Sequence, residues 1–218
     1  MAESFGEHLG TSVRGWRRRV TTHPAAYWTR WQLVKLRHRL GRGTPNEEER
    51  FDAAFAPPEA SAWRKKYFTL AERLIPPGAS VLEVGCGAGG MLRHLQSQGR
   101  KVLGVDFARA TVDGLVASGV PAEVHDLRSD APLPTGYDVV LCLEVMEHFS
   151  DPWAIYDKLW AAAGQRVVFS VPDRYMVPDD DHLYEFTYAD VAHRLAPRGP
   201  VTFMGGHRCY IVAAQDKP

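Results

Sequence analysis

The chain has 218 residues, 45% hydrophobic and 24% charged, which is enough for one domain with a full core plus an appendage. Its 26 basic and 26 acidic residues cancel, so no whole-molecule field draws it to nucleic acid or to an anionic membrane. Three widely spaced cysteines, Cys86, Cys142 and Cys209, form no C-x-x-C pair and speak against a disulfide framework or a zinc–thiolate site; Cys86 and Cys142 read as small buried hydrophobes. No apolar run reaches the length of a membrane span, and Met1 to Gly10 is polar without a signal-peptide core, so a cytoplasmic protein is expected.

Residues 1–60 read as a basic helical extension and linker, and residues 61–218 as the main domain. In the first 42 residues Arg14, Arg17, Arg18, Arg19, Arg30, Lys35, Arg37, Arg39 and Arg42 face only Glu3 and Glu7. Trp28, Trp31, Val34 and other apolar residues interleave with them from Pro24 on, which predicts an amphipathic helix stopped at Gly41-Arg42-Gly43. Such a helix can be a nucleic-acid arm, a membrane-surface helix or part of a substrate lid. It can equally pack its Trp face on the domain and solvate its arginines. Pro45, Glu47-Glu48-Glu49 and Pro57-Pro58 mark a linker. Ala62 to Leu74 predicts a second helix, carrying Trp63, Tyr67 and Phe68 and ended by Pro76-Pro77-Gly78.

The most informative stretch is Val81-Leu82-Glu83-Val84-Gly85-Cys86-Gly87-Ala88-Gly89-Gly90, an apolar run, a glycine cluster and then helix-period residues Met91, Leu92 and Leu95. It predicts strand, tight turn and helix, with the free N–H groups of the helix start aimed at a ligand. Gly85, Gly87 and Gly90 satisfy the G-x-G-x-x-G spacing of dinucleotide-binding folds, and Asp106 lies about 20 residues on, where a ribose-binding acid belongs. Glu83 points elsewhere. Its charge would repel a pyrophosphate, but it suits an amino-acid ammonium group such as that of S-adenosylmethionine (SAM).

Downstream, Lys101 to Val105 predicts a second strand ending in Asp106, followed by a helix through Val112 and Leu115 to Gly119. Ala122 to His125 is a short third strand before Asp126-Leu127, and Gly136 to Cys142 is a fourth, apolar enough for the centre of a parallel sheet. Asp151 and Pro152 form an N-cap and N1 pair for a helix from Trp153 to Ala163. Gln165 to Val171 is a fifth strand, Pro178 to His182 an acidic loop, and Tyr188 to Leu195 a helix with Thr187 and Asp190 at capping-box spacing. Pro200 to Met204 and Cys209 to Ala213 read as a closing hairpin around Gly205-Gly206. Strands alternating with helices predict an α/β doubly wound sheet with ligand groups at the carboxyl ends of its strands.

Glu83-Val84-Gly85-Cys86-Gly87-Ala88-Gly89 resembles the first motif of class I SAM-dependent methyltransferases. The resemblance covers roughly residues 62–218. It implies a Rossmann-like seven-stranded sheet with one antiparallel strand and helices on both faces. It also implies SAM as cofactor, held by Glu83, Gly85, Cys86, Gly87, Gly89, Asp106, Phe107, Asp126, Leu127 and Leu143. In that family Asp106 takes the ribose hydroxyls, and Asp126 the adenine amino group beside the Leu127 backbone. N-terminal helices cover the pocket, which makes Trp63 and Tyr67 candidate lining residues.

Glu144-Val145-Met146-Glu147-His148 stands just after the fourth strand. The two glutamates are three apart, so on a helical turn they would share a face with His148 adjoining. This E-x-x-E-H stretch resembles two branches of the family, the ubiquinone-biosynthesis-type O-methyltransferases and the Hen small-RNA 3′-terminal methyltransferases. The second branch implies a divalent metal held by Glu144, Glu147, His148 and His182. The other readings make His148 a general base or a structural histidine, and Glu144 a cofactor contact, a catalytic group or a helix cap. The expected function is O-methylation of a small hydroxylated metabolite such as a phenol, a quinol precursor or a sugar. The rivals are metal-dependent 2′-O-methylation of an RNA 3′ end, an NAD-binding oxidoreductase, and a SAM-fold binding protein without catalysis.

Overall fold

The computed structural model describes residues 64–174, 182–205 and 210–218. The expected basic helix, the linker, Trp63, most of the acidic loop and Cys209 lie outside the described residues. In chain order the elements are α1 (Arg64–Glu72), β1 (Val81–Val84), α2 (Gly90–Ser97), β2 (Val102–Asp106), α3 (Arg109–Ala117), β3 (Ala122–Val124) and β4 (Tyr137–Leu143). A 3₁₀ turn (Met146–His148), α4 (Pro152–Ala162), β5 (Ala163–Pro172) and α5 (Tyr188–Leu195) follow. A second 3₁₀ turn (Ala196–Arg198), β6 (Val201–Met204) and β7 (Tyr210–Asp216) close the chain.

The seven strands form one sheet in the order β3-β2-β1-β4-β5-β7-β6. The first five run parallel, and β7 lies antiparallel to both of its neighbours, β5 and β6. The inner strands are buried on both faces, which is why β1, β2 and the second half of β4 are mostly apolar along their length rather than alternating, with Glu83 and Asp106 the buried acids among them. β3 and β6 are the edge strands, and both are short, β3 being largely exposed.

Alternate strand residues feed two cores. Leu82, Val84, Val140, Cys142, Val167 and Phe169 pack with Ile155, Tyr156 and Leu159 of α4 and Val191 and Leu195 of α5. Val81, Val102, Val139, Leu141 and Val168 pack on the other face with Tyr67 and Ala71 of α1 and Met91, Leu92 and Leu95 of α2. Helix starts follow the expected chemistry: the Asp151 carboxylate accepts the N–H groups of Trp153 and Ala154 at 3.2 Å each, and Thr187 Oγ1 accepts that of Asp190 at 3.0 Å. The buried amide of Gln215 is fully occupied, accepting from Tyr156 Oη at 2.8 Å and donating to the carbonyls of Leu195 and Gly199. Among the described residues, no helix is long and apolar enough to cross a membrane.

Strand order reverses between β1 and β4, since β1 leads outward to β2 and β4 leads outward to β5. The loops leaving β1 and β4 therefore part to opposite faces, and a crevice opens between them at the carboxyl edge. The glycine turn follows β1, and the E-x-x-E-H stretch follows β4.

Candidate functional site

Backbone geometry explains the glycines. Gly85, Gly87 and Gly89 all sit at positive φ (68°, 47° and 70°). A Cβ on Gly85 would also run into Val145, so the turn after β1 lies directly against the segment after β4. The Gly85 and Cys86 N–H groups donate to the Val105 carbonyl at 2.8 and 3.2 Å. The Asp106 carboxylate accepts the Gly87 N–H through Oδ2 at 2.9 Å and the Ala108 N–H through Oδ1 at 3.0 Å. Asp106 is thus buried at the end of β2 and ties the glycine turn to the β2–α3 loop. The α3 N-cap is Ala108, so Asp106 serves that loop rather than capping the helix itself.

Glu83 faces the α2 side of the sheet, in register with Gly104 of β2 and Leu141 of β4. It is only 4% exposed, and its Oε2 has no hydrogen-bond partner. Burial pushes its carboxyl up to about 8; a backbone hydrogen bond from Leu92 opposes this, and the nearby Asp106 charge adds to it. A buried carboxyl with one idle oxygen is the feature a cationic ligand group would complete. Cys86 is buried, and burial drives its thiol far above the ordinary range, so it acts as a small hydrophobe.

On the β3 side, Asp126 is half-buried and its two carboxylate oxygens both receive Arg128 Nε, at 2.9 and 3.1 Å. Burial raises its carboxyl, but the Arg128 hydrogen bonds and charge prevail and hold it below the ordinary carboxylate range. The same guanidinium lies 5.5 Å from the centre of the Phe107 ring. Leu127 is buried beside them, and so is Leu143 at the end of β4. Asp126 and Leu127, expected at the adenine, and Phe107, expected to hold the cofactor, are therefore neighbours, and Arg128 joins them. Its sequence signal is faint: a basic residue two after an acid in a loop.

The E-x-x-E-H stretch is arranged differently from expectation. Glu144 does not share a helical turn with Glu147, because the 3₁₀ turn begins only at Met146. Glu144 is instead the single non-glycine residue at positive φ (56°) among those described. Two bonds hold it to β5: its N–H donates to the Ser170 carbonyl at 3.1 Å, and Ser170 Oγ donates to its Oε1 at 2.6 Å. Ser170 was not singled out from the sequence, where its only signal is a hydroxyl in the apolar run Val167 to Val171.

Glu147 is almost wholly buried, with Oε2 unpartnered. Burial first, and the Glu144 charge second, push its carboxyl well up; burial likewise raises Glu144, opposed by the Ser170 bond. The Glu147 carbonyl accepts the N–H groups of Leu183 and Tyr184 at 2.7 and 3.2 Å. That clamp brings His182 to His148, their rings edge to face with centroids 5.3 Å apart. Glu147, His148 and His182 each present one ligand atom within 4.8 Å of the others, whereas Glu144 stands outside this group. A tetrahedral cation with bonds of about 2.1 Å sets its ligand atoms about 3.4 Å apart, so the widest pair would draw in by about an ångström or somewhat more to hold one. The idle Glu147 oxygen and two imidazoles match a divalent transition metal better than a purely oxygen-seeking ion.

A family profile described as a methyltransferase domain matches residues 54–215. The ubiquinone biosynthesis O-methyltransferase of Pseudomonas fluorescens (strain SBW25) is 30% identical in an alignment of 141 residues that covers 61% of this chain and 60% of that protein. The match therefore spans well under two thirds of the relative's length. Among solved structures, magnesium protoporphyrin IX methyltransferase from Synechocystis PCC 6803 with bound SAH superposes with a TM-score of 0.57 at 18% identity, covering 86% of this chain and 94% of that one. The DhpI–SAM–HEP complex superposes at 0.59 and 20% identity, covering 87% and 97%. At these identities the two structures speak for the fold. The profile match resolves the ambiguity of the glycine spacing against a dinucleotide-binding oxidoreductase.

Proposed function

The chain belongs to the class I SAM-dependent methyltransferases, and on that premise we propose that it O-methylates a small hydroxylated metabolite, a phenol, a quinol precursor or a sugar. Residues 61–218 form the methyltransferase domain in this reading, and residues 1–60 a basic extension. The observation that carries it is the group Glu147, His148 and His182 at the crevice between β1 and β4, beside the glycine turn. A hydroxyl acceptor has to lose its proton as the methyl arrives, and these are groups able to take or stabilise it. The O-methyltransferase relative supports the same acceptor class.

SAM brings the electrophilic methyl group. Glu83 binds its ammonium, Asp106 its ribose hydroxyls, and Asp126 with Leu127 its adenine. The glycine turn lets the backbone approach closely, and Leu143 and Phe107 exclude water. Holding acceptor oxygen, methyl and sulfur in line supplies much of the rate. With no cation bound, His148 takes the hydroxyl proton, and Ser170 fixes Glu144 two residues before the 3₁₀ turn that carries it. Glu147, His148 and His182 are the residues that would hold a divalent cation, and such an ion would polarise the acceptor hydroxyl and ease its ionisation.

The test is a methyl-transfer screen with labelled SAM over catechols, other phenols, sugars and short RNAs, run with added divalent metal and with EDTA. Transfer to a hydroxylated small molecule is the expected result. Transfer confined to RNA ends, or to a carboxyl or nitrogen acceptor, would overturn the proposal. Activity that survives EDTA in protein without bound metal would assign His148 as base rather than ligand.

A further inference from the structure

We infer that Lys158 of α4 is a positioning residue for the cofactor's adenine, acting through the turn at residues 126–129; this rests on the placement of adenine at Asp126 and Leu127 proposed above. The turn is tightly built. Asp126 Oδ1 accepts the Arg128 N–H at 2.9 Å, and the Asp126 carbonyl accepts both the N–H and the hydroxyl of Ser129, at 3.0 and 2.7 Å. Folding the chain this sharply turns the carbonyls of Leu127 and Ser129 toward α4, and neither lies within reach of a strand or helix ladder.

The Lys158 ammonium meets both of them, at 2.7 Å to Leu127 and 2.6 Å to Ser129. These are the short lengths of charge-assisted bonds, and a single ammonium has three donors to give. Leu127 is buried, so its carbonyl has no easy recourse to water if the ammonium is removed. Among the described residues the Leu127 N–H meets no acceptor, and it remains available to a ligand on the turn. Lys158 therefore holds from behind the peptide that follows Leu127 and the one that follows Ser129, and through the turn they close it constrains where the Leu127 N–H and the Asp126 carboxylate stand. Trp153, on the first turn of the same helix, donates through Nε1 to Tyr184 at 3.2 Å, next to the segment that carries His182. One helix thus braces the adenine turn at Lys158 and the segment that carries His182 at Trp153.

The experiment measures binding of S-adenosylhomocysteine and of 5′-methylthioadenosine, which keeps the adenine and ribose but lacks the amino acid, by calorimetry on the full chain. Lys158→Met is expected to weaken both probes by about tenfold and by the same factor, because the defect lies at the end they share. Lys158→Arg, whose fork can still reach two carbonyls, is expected to restore both to within about threefold of the wild type. If Lys158→Met fails to fold, Lys158→Gln, with one amide donor group left, should fall between wild type and complete loss. Unchanged affinity in Lys158→Met or Lys158→Gln would overturn the inference, as would a loss confined to S-adenosylhomocysteine or one that Lys158→Arg does not repair. A wild-type chain that bound neither probe would instead overturn the cofactor placement on which the inference stands.

Discussion

The His182 ring lies 5.3 Å from that of His148, centroid to centroid, and it is held there by backbone: the Glu147 carbonyl accepts the N–H groups of both residues that follow His182. The two histidines come from loops after different strands, β4 and β5. Their meeting depends on those strands being neighbours, in parallel register from Val139 with Arg166 to Leu143 with Ser170.

This grouping predicts cation binding. Mn²⁺ titrated into the purified protein is expected to bind, and Glu147→Gln or His182→Ala is expected to weaken it at least about tenfold. Both variants should keep wild-type affinity for S-adenosylhomocysteine, since neither residue lies at the glycine turn. Calorimetry of the two ligands on the same samples separates the outcomes, and Mn²⁺ binding unaffected by either change would dismiss the site.

Asp106 carries a different burden. Asp106→Ala removes the acceptor of the Gly87 and Ala108 N–H groups as well as the proposed ribose contact. A loss of S-adenosylhomocysteine affinity of about a hundredfold or more is expected, from two unmade charge-assisted bonds in the loops and the lost ligand contacts. His148→Ala should spare that affinity and lower turnover. Loss of cofactor binding in His148→Ala would remove its assignment to the chemical step.

Glu83 makes stability and binding depend on pH. Its carboxyl sits at about 8 in the folded chain against an ordinary 4.5. Below the lower value the group is protonated folded and unfolded alike, and ionisation contributes nothing. Between the two, the unfolded chain gives up the proton while the folded chain keeps it, so stability falls as pH rises through that window and stays reduced above it. Burial raises Glu144 and Glu147 in the same direction, so their contributions carry the same sign. Glu83→Gln is expected to match the wild type in urea denaturation near pH 4.5 and to exceed it at pH 8.

The same group predicts a proton released on cofactor binding. An ammonium placed beside Glu83 favours its charged form, so at pH 7 binding should expel a fraction of a proton that Glu83→Gln does not expel. Calorimetry in two buffers of different ionisation enthalpy reads this directly, and equal proton release by both proteins would dismiss the Glu83–ammonium pairing.

Gly104 tests the packing beneath the site. A Cβ there would stand 2.5 Å from Leu92 Cδ1 and 2.7 Å from Cys86 Sγ. Gly104→Ala is expected to cost about 1–3 kcal/mol of stability by overpacking, measured as a lower urea midpoint with an unchanged slope.

Much of this was legible in the chain itself. The unbroken apolar run Val139 to Leu143 announces a strand buried on both faces, and Asp151-Pro152 and Thr187 announce helix starts, because these signals act within a few residues. The glycine turn and the acids at the ends of β2 and β3 were readable for the same reason: each sits where a strand stops. The helical face expected for Glu144 and Glu147 was not what folded. Glu144 takes a left-handed backbone, and two bonds to Ser170 on the neighbouring strand outweigh the local preference.

What the sequence determined by itself is the alternation of strands and helices, the cofactor turn and the family, since all three rest on local spacing. Tertiary structure decided which of the four expected ligand residues meet, which carboxyls are buried with idle oxygens, and which residues brace them. Ser170 reaches Glu144 across the β4–β5 pair, and Lys158 reaches Leu127 from a helix on one face of the sheet. Neither contact has a periodicity to betray it, because both arise from strand order and helix packing between segments distant in the chain.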